Sequence, residues 1–312
     1  MLDILLFLYL DLAQADYPPG VFDLNYQQKS QLIELLQRPD YQPLYQTNRS
    51  LPPLMENRLV KPSVPITARS SLVVDLKSGI ILHQQNPDRP LPIASLTKLM
   101  TAQVFLSTSP DLDQEYVMDK QDNDSVIGSR LNVVPGEIVR IRDLLAASLI
   151  GSANNATQAL AHSTGLTESE FIALMNKKTV NLGLTQTFFK DVTGLDPGNV
   201  STAAEYTKLA RAAFQYPIIK QYLGLLEYTF ETIDRHISHR IKNTNLLLGN
   251  VDFEIVGAKT GYLDEAGYTF VSQASLGGHD IIVVLFHSQS GEARFAEAKS
   301  LVRWVYDNFK WL

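Results

Sequence analysis

The sequence predicts an α/β chain of the α+β kind, with one antiparallel sheet flanked by helices and an all-helical lobe beside it. Three observations predict it. First, two β-branched runs in "SSLVVDLKSGIILHQQN" (70–86) flank Asp75–Gly79, a hairpin pattern closed by glycine. Second, helix-period segments follow at 95–107, 140–149, 154–162, 168–182 and 202–214, separated by Gly, Pro, Asn and Asp. Third, strand alternation returns over 253–262, 266–276 and 279–289, with Gly277-Gly278 as a tight turn, before an amphipathic closing segment "GEARFAEAKSLVRWVYDNFKWL". Strands from both ends of a chain commonly share one sheet. The sheet lobe is therefore expected over about 67–92 and 245–312 and the helical lobe over about 93–244, with a ligand site at the seam.

Residues 1–66 read as an N-terminal extension. Ile4–Leu10 is apolar and Ala13-Gln14-Ala15 resembles a processing site, although no basic segment precedes it and Asp3 and Asp11 interrupt it. A helix of this length reaches only about 18 Å, against about 30 Å of hydrocarbon, so it does not read as a span. An exported protein with an atypical signal is the expectation; the alternative is an apolar helix docked on the body. One helical pattern lies at 27–37, and "LPPLMENRLVKPSVP" (51–65) reads as an extended linker because its prolines deny hydrogen bonds to helix and ladder alike.

Composition narrows the function. The 312 residues carry a net charge of −6 and no Lys/Arg cluster interleaved with aromatics, which argues against nucleic acid as a partner. There is no cysteine, so disulfides, thiolate metal sites and cysteine nucleophiles are excluded.

Three short motifs carry chemistry. In "PLPIASLTKLMTAQVFL" (90–106), Ser95 and Lys98 stand three apart at a helix start, so hydroxyl and amine share a face. A buried lysine near a second positive charge loses its proton more readily and can act as a base; a solvated Lys and a cap-like Ser is the plainer account. In "LLAASLIGSANNATQALA" (144–161), Ser152 and Asn154 interrupt an apolar pattern and face one way, unless they only cap a helix. In "EIVGAKTGYLDEAGYTF" (254–270), Lys259, Thr260 and Gly261 lie late in a strand, where Lys and Thr could hold a carboxylate and Gly could admit an extended ligand. A phosphate-binding loop is the rival, but the required Gly-Lys-Thr is absent.

Together and in order, Ser-x-x-Lys, Ser-x-Asn and Lys-Thr-Gly are the signature of penicillin-binding proteins and class A β-lactamases. The segments "IASLTKLMTA", "GSANNA", "GLDPGNVSTAAEYTKLA", "KNTNLLL" and "KTGYLDEAGYTFVSQA" resemble the D-alanyl-D-alanine carboxypeptidase family of low-molecular-mass penicillin-binding proteins, over about residues 67–312. The resemblance implies a serine β-lactamase/DD-peptidase-like fold and a periplasmic or envelope serine peptidase acting on peptidoglycan stem peptides, inhibited covalently by β-lactam antibiotics. By that similarity Ser95 is the nucleophile and Lys98 takes its proton. Ser152 relays a proton to the leaving amine, with Lys259 keeping the site electropositive. Asn154 orients the substrate amide, Thr260 holds the terminal carboxylate beside Gly261, and backbone N–H groups of Ser95 and Tyr262 form the oxyanion hole. No cofactor or metal is implied.

Other activities are weighed against this one. A class A β-lactamase uses a glutamate in a Glu-x-x-Leu-Asn segment for deacylation. The corresponding "FFKDVTGLDPGNVSTAAE" offers only Asp191 and Asp196. A D,D-endopeptidase that cuts cross-links is the alternative within the family, and the end of the chain at "VRWVYDNFKWL" favours it, since many carboxypeptidases of the family continue into a second β-rich domain and a membrane anchor. Membrane association is left open. A catalytically silent envelope scaffold would not need the full motif set. His236 and His239 have metal-ligand spacing without an acidic third ligand, so a polar helix start or loop is expected there. Arg294 matches an arginine that some family members place near the substrate carboxylate, although a surface helix arginine is the simpler expectation.

Overall fold

A computed structural model describes residues 53–55, 60–124 and 127–311. The helical pattern at 27–37 and the apolar N-terminus lie outside the described residues. The elements in chain order are β1 (Leu54–Met55), β2 (Ser70–Asp75), β3 (Ile81–Gln85), β4 (Leu91–Pro92), a 3₁₀ turn (Ala94–Thr97), α1 (Lys98–Ser107), β5 (Glu115–Val117), α2 (Gln121–Asp124), β6 (Ile138–Arg140), α3 (Ile141–Ile150), α4 (Asn154–His162) and α5 (Glu168–Asn181). They continue with β7 (Val200–Ser201), α6 (Ala203–Ala213), α7 (Pro217–Gly224), β8 (Glu227–Glu231), β9 (Ser238–Lys242), β10 (Glu254–Leu263), β11 (Gly267–Leu276), β12 (His279–Ser288), α8 (Gly291–Asn308) and β13 (Phe309–Lys310).

The first hairpin and the last three strands form one antiparallel sheet of order β10-β11-β12-β2-β3. Ile282 pairs with Val74 and Val283 with Val73, which joins the two ends of the domain. The run "IIVVLF" shows why both faces are buried. Alternate side chains point to opposite sides, so Ile282, Val284 and Phe286 join the core shared with the helical lobe. Ile281, Val283 and Leu285 join the core under α8. A strand covered on both faces reads as continuous apolar sequence rather than strict alternation. α8 supplies Phe295, Ala298, Leu301, Val302 and Val305, spaced three or four apart along one stripe.

α1 is buried from Lys98 through Phe105, so it is the central helix of the helical lobe. A helix surrounded by protein needs no polar face, and its apolar run matches. The sequence pattern differs here in one respect. Residues 94–97 form a 3₁₀ turn, not the first turn of the α-helix, and Ser95 lies in that turn. The turn is held from three sides: Ile93 N donates to Asn199 O (3.0 Å), Thr269 Oγ1 donates to Ile93 O (3.1 Å) and Tyr206 OH donates to Leu96 O (2.8 Å).

The described part of the proline-rich stretch does not stand away from the body. Residues 54–55 pair with 309–310. Trp304 Nε1 donates to Val60 O (2.8 Å), Val64 N donates to Ser300 Oγ (3.0 Å), and the buried Glu297 carboxylate accepts the N–H groups of Thr67 (3.0 Å) and Ala68 (3.3 Å). Prolines leave few N–H groups to satisfy, and side chains of α8 take several of those that remain.

Candidate active site

Three segments meet at the seam. The 3₁₀ turn and α1 bring Ser95 and Lys98, the turn between α3 and α4 brings Ser152 and Asn154, and edge strand β10 brings Lys259, Thr260, Gly261 and Tyr262. Lys98 Nζ lies 2.8 Å from Ser95 Oγ, and it also donates to Asn154 Oδ1 (2.6 Å) and to the Thr193 carbonyl (2.6 Å). Lys259 Nζ donates to Ser152 Oγ (2.7 Å) and to its neighbour's carbonyl, Thr260 O (3.0 Å). Both lysines are fully buried. These contacts replace the capping account of Ser152 and Asn154: Ala153 occupies the cap position of α4, with no side-chain cap bond.

Burial sets the electrostatics. Desolvation brings the Lys98 amine down to about 7, against a smaller upward pull from the Asp191 carboxylate. Lys259 is lowered well below an ordinary lysine by burial first, then by the positive charges of Lys98 and Arg294. An amine at about 7 is half neutral at neutral pH and can take a hydroxyl proton.

Two residues of the site adopt positive φ without being glycine: Ala94 at 49° and Ser152 at 58°. A left-handed side-chain residue costs about 1–3 kcal/mol and persists only where surrounding structure enforces it. Here it falls on the residue before Ser95 and on Ser152 itself. Gly261 has a related constraint. A Cβ there would meet Thr269 Oγ1 at 2.5 Å, the Ser95 nitrogen at 3.0 Å and Ala94 Cβ at 3.1 Å. The enzyme's own packing therefore requires this glycine, because β10 presses directly on the Ser95 turn.

Thr260 Oγ1 donates to Thr244 Oγ1 (2.7 Å), and Tyr262 is half-exposed, its ring tilted against that of Tyr268 with centroids 4.4 Å apart and its hydroxyl donating to Asp264 Oδ1 (2.6 Å). Both ends of the Asn154 amide are engaged, since Nδ2 donates to Ile127 O (2.7 Å). Arg294 is not a surface helix arginine. It lies over the rings of Tyr268 and Phe295, donates to Gly261 O (2.9 Å), and is lowered to about 10 by burial. His236 lies in the turn of the β8–β9 hairpin and His239 in β9, stacked on Phe230, rather than at a helix start.

Sequence reasoning overlooked the loop behind Lys98. Asp191 Oδ1 accepts Thr193 N (3.1 Å), Gly194 N (2.6 Å) and Asn199 Nδ2 (2.8 Å), while Oδ2 accepts Thr193 Oγ1 (3.1 Å), Leu195 N (2.9 Å) and Asp196 N (2.9 Å). That turn presents the Thr193 carbonyl to Lys98. Gly194 (φ 90°) lies against the Ser95 turn so closely that a Cβ would sit 2.0 Å from Ala94 O. The "DVTG" and "GNVST" turn signals were visible, but nothing in them points at Lys98.

A serine hydroxyl beside a buried, partly neutral amine, next to a second serine–lysine pair, can perform nucleophilic acyl transfer without metal assistance. This is the site of a serine peptidase. A family model described as D-alanyl-D-alanine carboxypeptidase matches residues 56–290. A D-alanyl-D-alanine endopeptidase of Pseudomonas aeruginosa is 33% identical over 240 residues, covering 77% of each chain. A D-alanyl-D-alanine carboxypeptidase of Escherichia coli is 33% identical over 270 residues, covering 82% of this chain and 64% of that one. Among solved structures, the Streptomyces K15 DD-transpeptidase is 28% identical with a TM-score of 0.74, covering 78% of this chain and 98% of the other. A penicillin-binding protein homologue from Mycobacterium tuberculosis is 31% identical with a TM-score of 0.71, covering 80% and 96%. The chain belongs to the D-alanyl-D-alanine carboxypeptidase family of serine peptidases, and the sequence-derived fold class and family stand.

Proposed function

We propose that the protein is a serine-type D-Ala-D-Ala carboxypeptidase acting on peptidoglycan stem peptides through a Ser95 acyl-enzyme. The observation that carries this is the placement of Lys98 Nζ between Ser95 Oγ, Asn154 Oδ1 and Thr193 O. Ser95 Oγ attacks the D-Ala carbonyl carbon while its proton passes to Lys98. The developing oxyanion faces the N–H groups of Ser95 and Tyr262. Collapse breaks the C–N bond, and the amine leaves with a proton relayed through Ser152. Lys259 stands behind Ser152, and a bound carboxylate, held by Thr260, favours its charged form. Asn154 acts here mainly by fixing Lys98, since its amide is already engaged. Water then hydrolyses the ester.

A β-lactam would acylate Ser95 by the same steps, and the adduct should persist. Asp191, the nearest counterpart of a deacylating carboxylate, spends both oxygens on six donors. The second reading is D,D-endopeptidase: three relatives named endopeptidases match over 77–80% of their own length. The two activities share the acyl-enzyme and differ in the leaving amine, which is free D-Ala in one and the side-chain amine of a neighbouring strand in the other. Such substrates lie outside the cytoplasm, which supports an extracytoplasmic site of action. No helix among the described residues is long and apolar enough to cross a membrane. The docking of Val60 and Val64 on α8 supports a catalytic unit that starts before residue 67.

Digestion of purified muropeptides, read by product mass, tests the proposal. Pentapeptides losing one D-Ala give the carboxypeptidase, and cross-linked dimers yielding monomers give the endopeptidase. Ser95→Ala turning over either substrate at the wild-type rate would sink both readings.

A further inference from the structure

Beside the Ser152 turn lies a groove of about 360 Å³ that the acyl-transfer machinery does not use. One wall is the segment Arg130–Asn132, the other is β9 from Ser238 to Lys242, and the floor includes Gly151 and Ala153, the two neighbours of Ser152. A Cβ on Gly151 would meet Ile241 Cγ2 at 2.7 Å, so β9 is seated directly against this turn. Ser152 does not itself line the groove, but both of its chain neighbours do, so the groove lies next to the turn that carries it.

Its lining is positive in a chain whose net charge is −6. Arg130, Arg240, Lys242 and His239 line it, and no carboxylate does. Arg240 is paired with Glu227 (Nε to Oε2, 2.9 Å). Among the described residues Arg130 donates only to neutral acceptors, Asn123 O and Oδ1, both at 3.0 Å. Lys242 has no ion pair among the described residues. The Nε2 of His239 is buried without a hydrogen-bond partner. Two cations without a carboxylate partner among the described residues and an unsatisfied ring nitrogen ask for an anionic, hydrogen-bonding ligand.

We propose that this groove binds the amine-side strand of a cross-linked stem peptide, holding its carboxylates on Lys242, Arg130 and Arg240. Free D-Ala is a single residue, whereas a second peptide strand extends beyond the leaving amine and carries the negative charge the groove lacks. The inference rests on the D,D-peptidase reading and concerns its endopeptidase form, in which a second strand is the leaving group.

The test compares kcat/KM for a cross-linked dimer with kcat/KM for a monomeric pentapeptide, each normalised to the fraction of enzyme labelled by a fluorescent penicillin. Lys242→Glu should lower the dimer-to-pentapeptide ratio by about tenfold, and Lys242→Arg should restore it. Arg240→Gln, on an exposed hairpin, gives an independent second variant with a smaller fall in the same direction. With the wild-type enzyme, raising salt should depress cleavage of the dimer more than that of the pentapeptide. An unchanged ratio in both Lys242→Glu and Arg240→Gln overturns the groove while leaving the peptidase reading intact. A wild-type enzyme that trims pentapeptides but leaves dimers whole overturns the groove and the endopeptidase reading together.

Discussion

In the proposed mechanism, proton transfer from Ser95 requires no rearrangement of Lys98. As an ammonium, Nζ has three N–H groups for its three partners. As an amine it keeps two of them on Asn154 Oδ1 and Thr193 O, and its lone pair is left facing the Ser95 hydroxyl. The base must be neutral before attack, so kcat/KM should rise with pH through about 7, the value burial imposes on Lys98. Asp191 pulls that value upward. Asp191→Asn should therefore move the rising limb to lower pH, so that the rate at pH 6 becomes a larger fraction of its plateau. A pH–rate profile of penicillin acylation checks this; a limb that does not move would mean that Asp191 acts only by shaping its loop. Ser95→Ala should abolish the covalent penicillin adduct, visible as loss of fluorescent labelling on a denaturing gel.

At the scale of elements, strand and turn are pressed into one another. Gly261→Ala forces either the Thr269 hydroxyl off Ile93 O or the Ser95 N–H out of place. Acylation should fall by about 100-fold, since a displacement near 1 Å at a reacting group costs about that much. The segment that leads into the Ser152 region has its own anchor. Buried Asp122 accepts from His162 Nδ1 (2.6 Å) and from Tyr116 OH, and residues 127–131 nearby carry the backbone partners of Asn154 and Asn155. The hydrogen bond to Asp122 holds His162 above its usual 6.5. A raised value means stability fully present below pH 6.5 and lost as pH rises through the folded value. His162→Asn should accordingly lower the melting temperature more at pH 6 than at pH 8.5.

Legibility followed the same physics. α4 and the strands of the main sheet were readable to within a residue or two, because one buried face stamps its period on the sequence. The β8–β9 hairpin was missed. Its turn is made by Asp234–His236 with a non-glycine at positive φ, so no glycine marks it. Its buried residues, Phe230 and Ile241, pack on the helical core rather than in the main sheet. α7 was missed because Pro217 opens it, and a proline there reads equally as a break. At the site, three motifs named the polar side chains. The Asp191 turn and the contribution of Thr269 depend on backbone groups meeting across 90 or more residues, which no local pattern records.

Across the whole molecule, the two ends of the domain are tied by Glu297, whose carboxylate accepts from Thr67, Ala68 and Ser288. Glu297→Ala leaves two buried or half-buried N–H groups without partners. It should destabilise the fold by about 3 kcal/mol, measurable as a lower urea midpoint. The hydrogen bond from Lys259 to Ser152 joins residues 107 apart in sequence, and the one from Lys98 to Thr193 joins residues 95 apart. Of the two, the Lys259–Ser152 bond also crosses from the sheet lobe to the helical lobe and can form only once they have met, so the complete site is expected late in folding. A fluorescent penicillin added during refolding would then count finished molecules one by one. Its covalent bond would mark each molecule at the moment it becomes native, ahead of any signal from helix content alone.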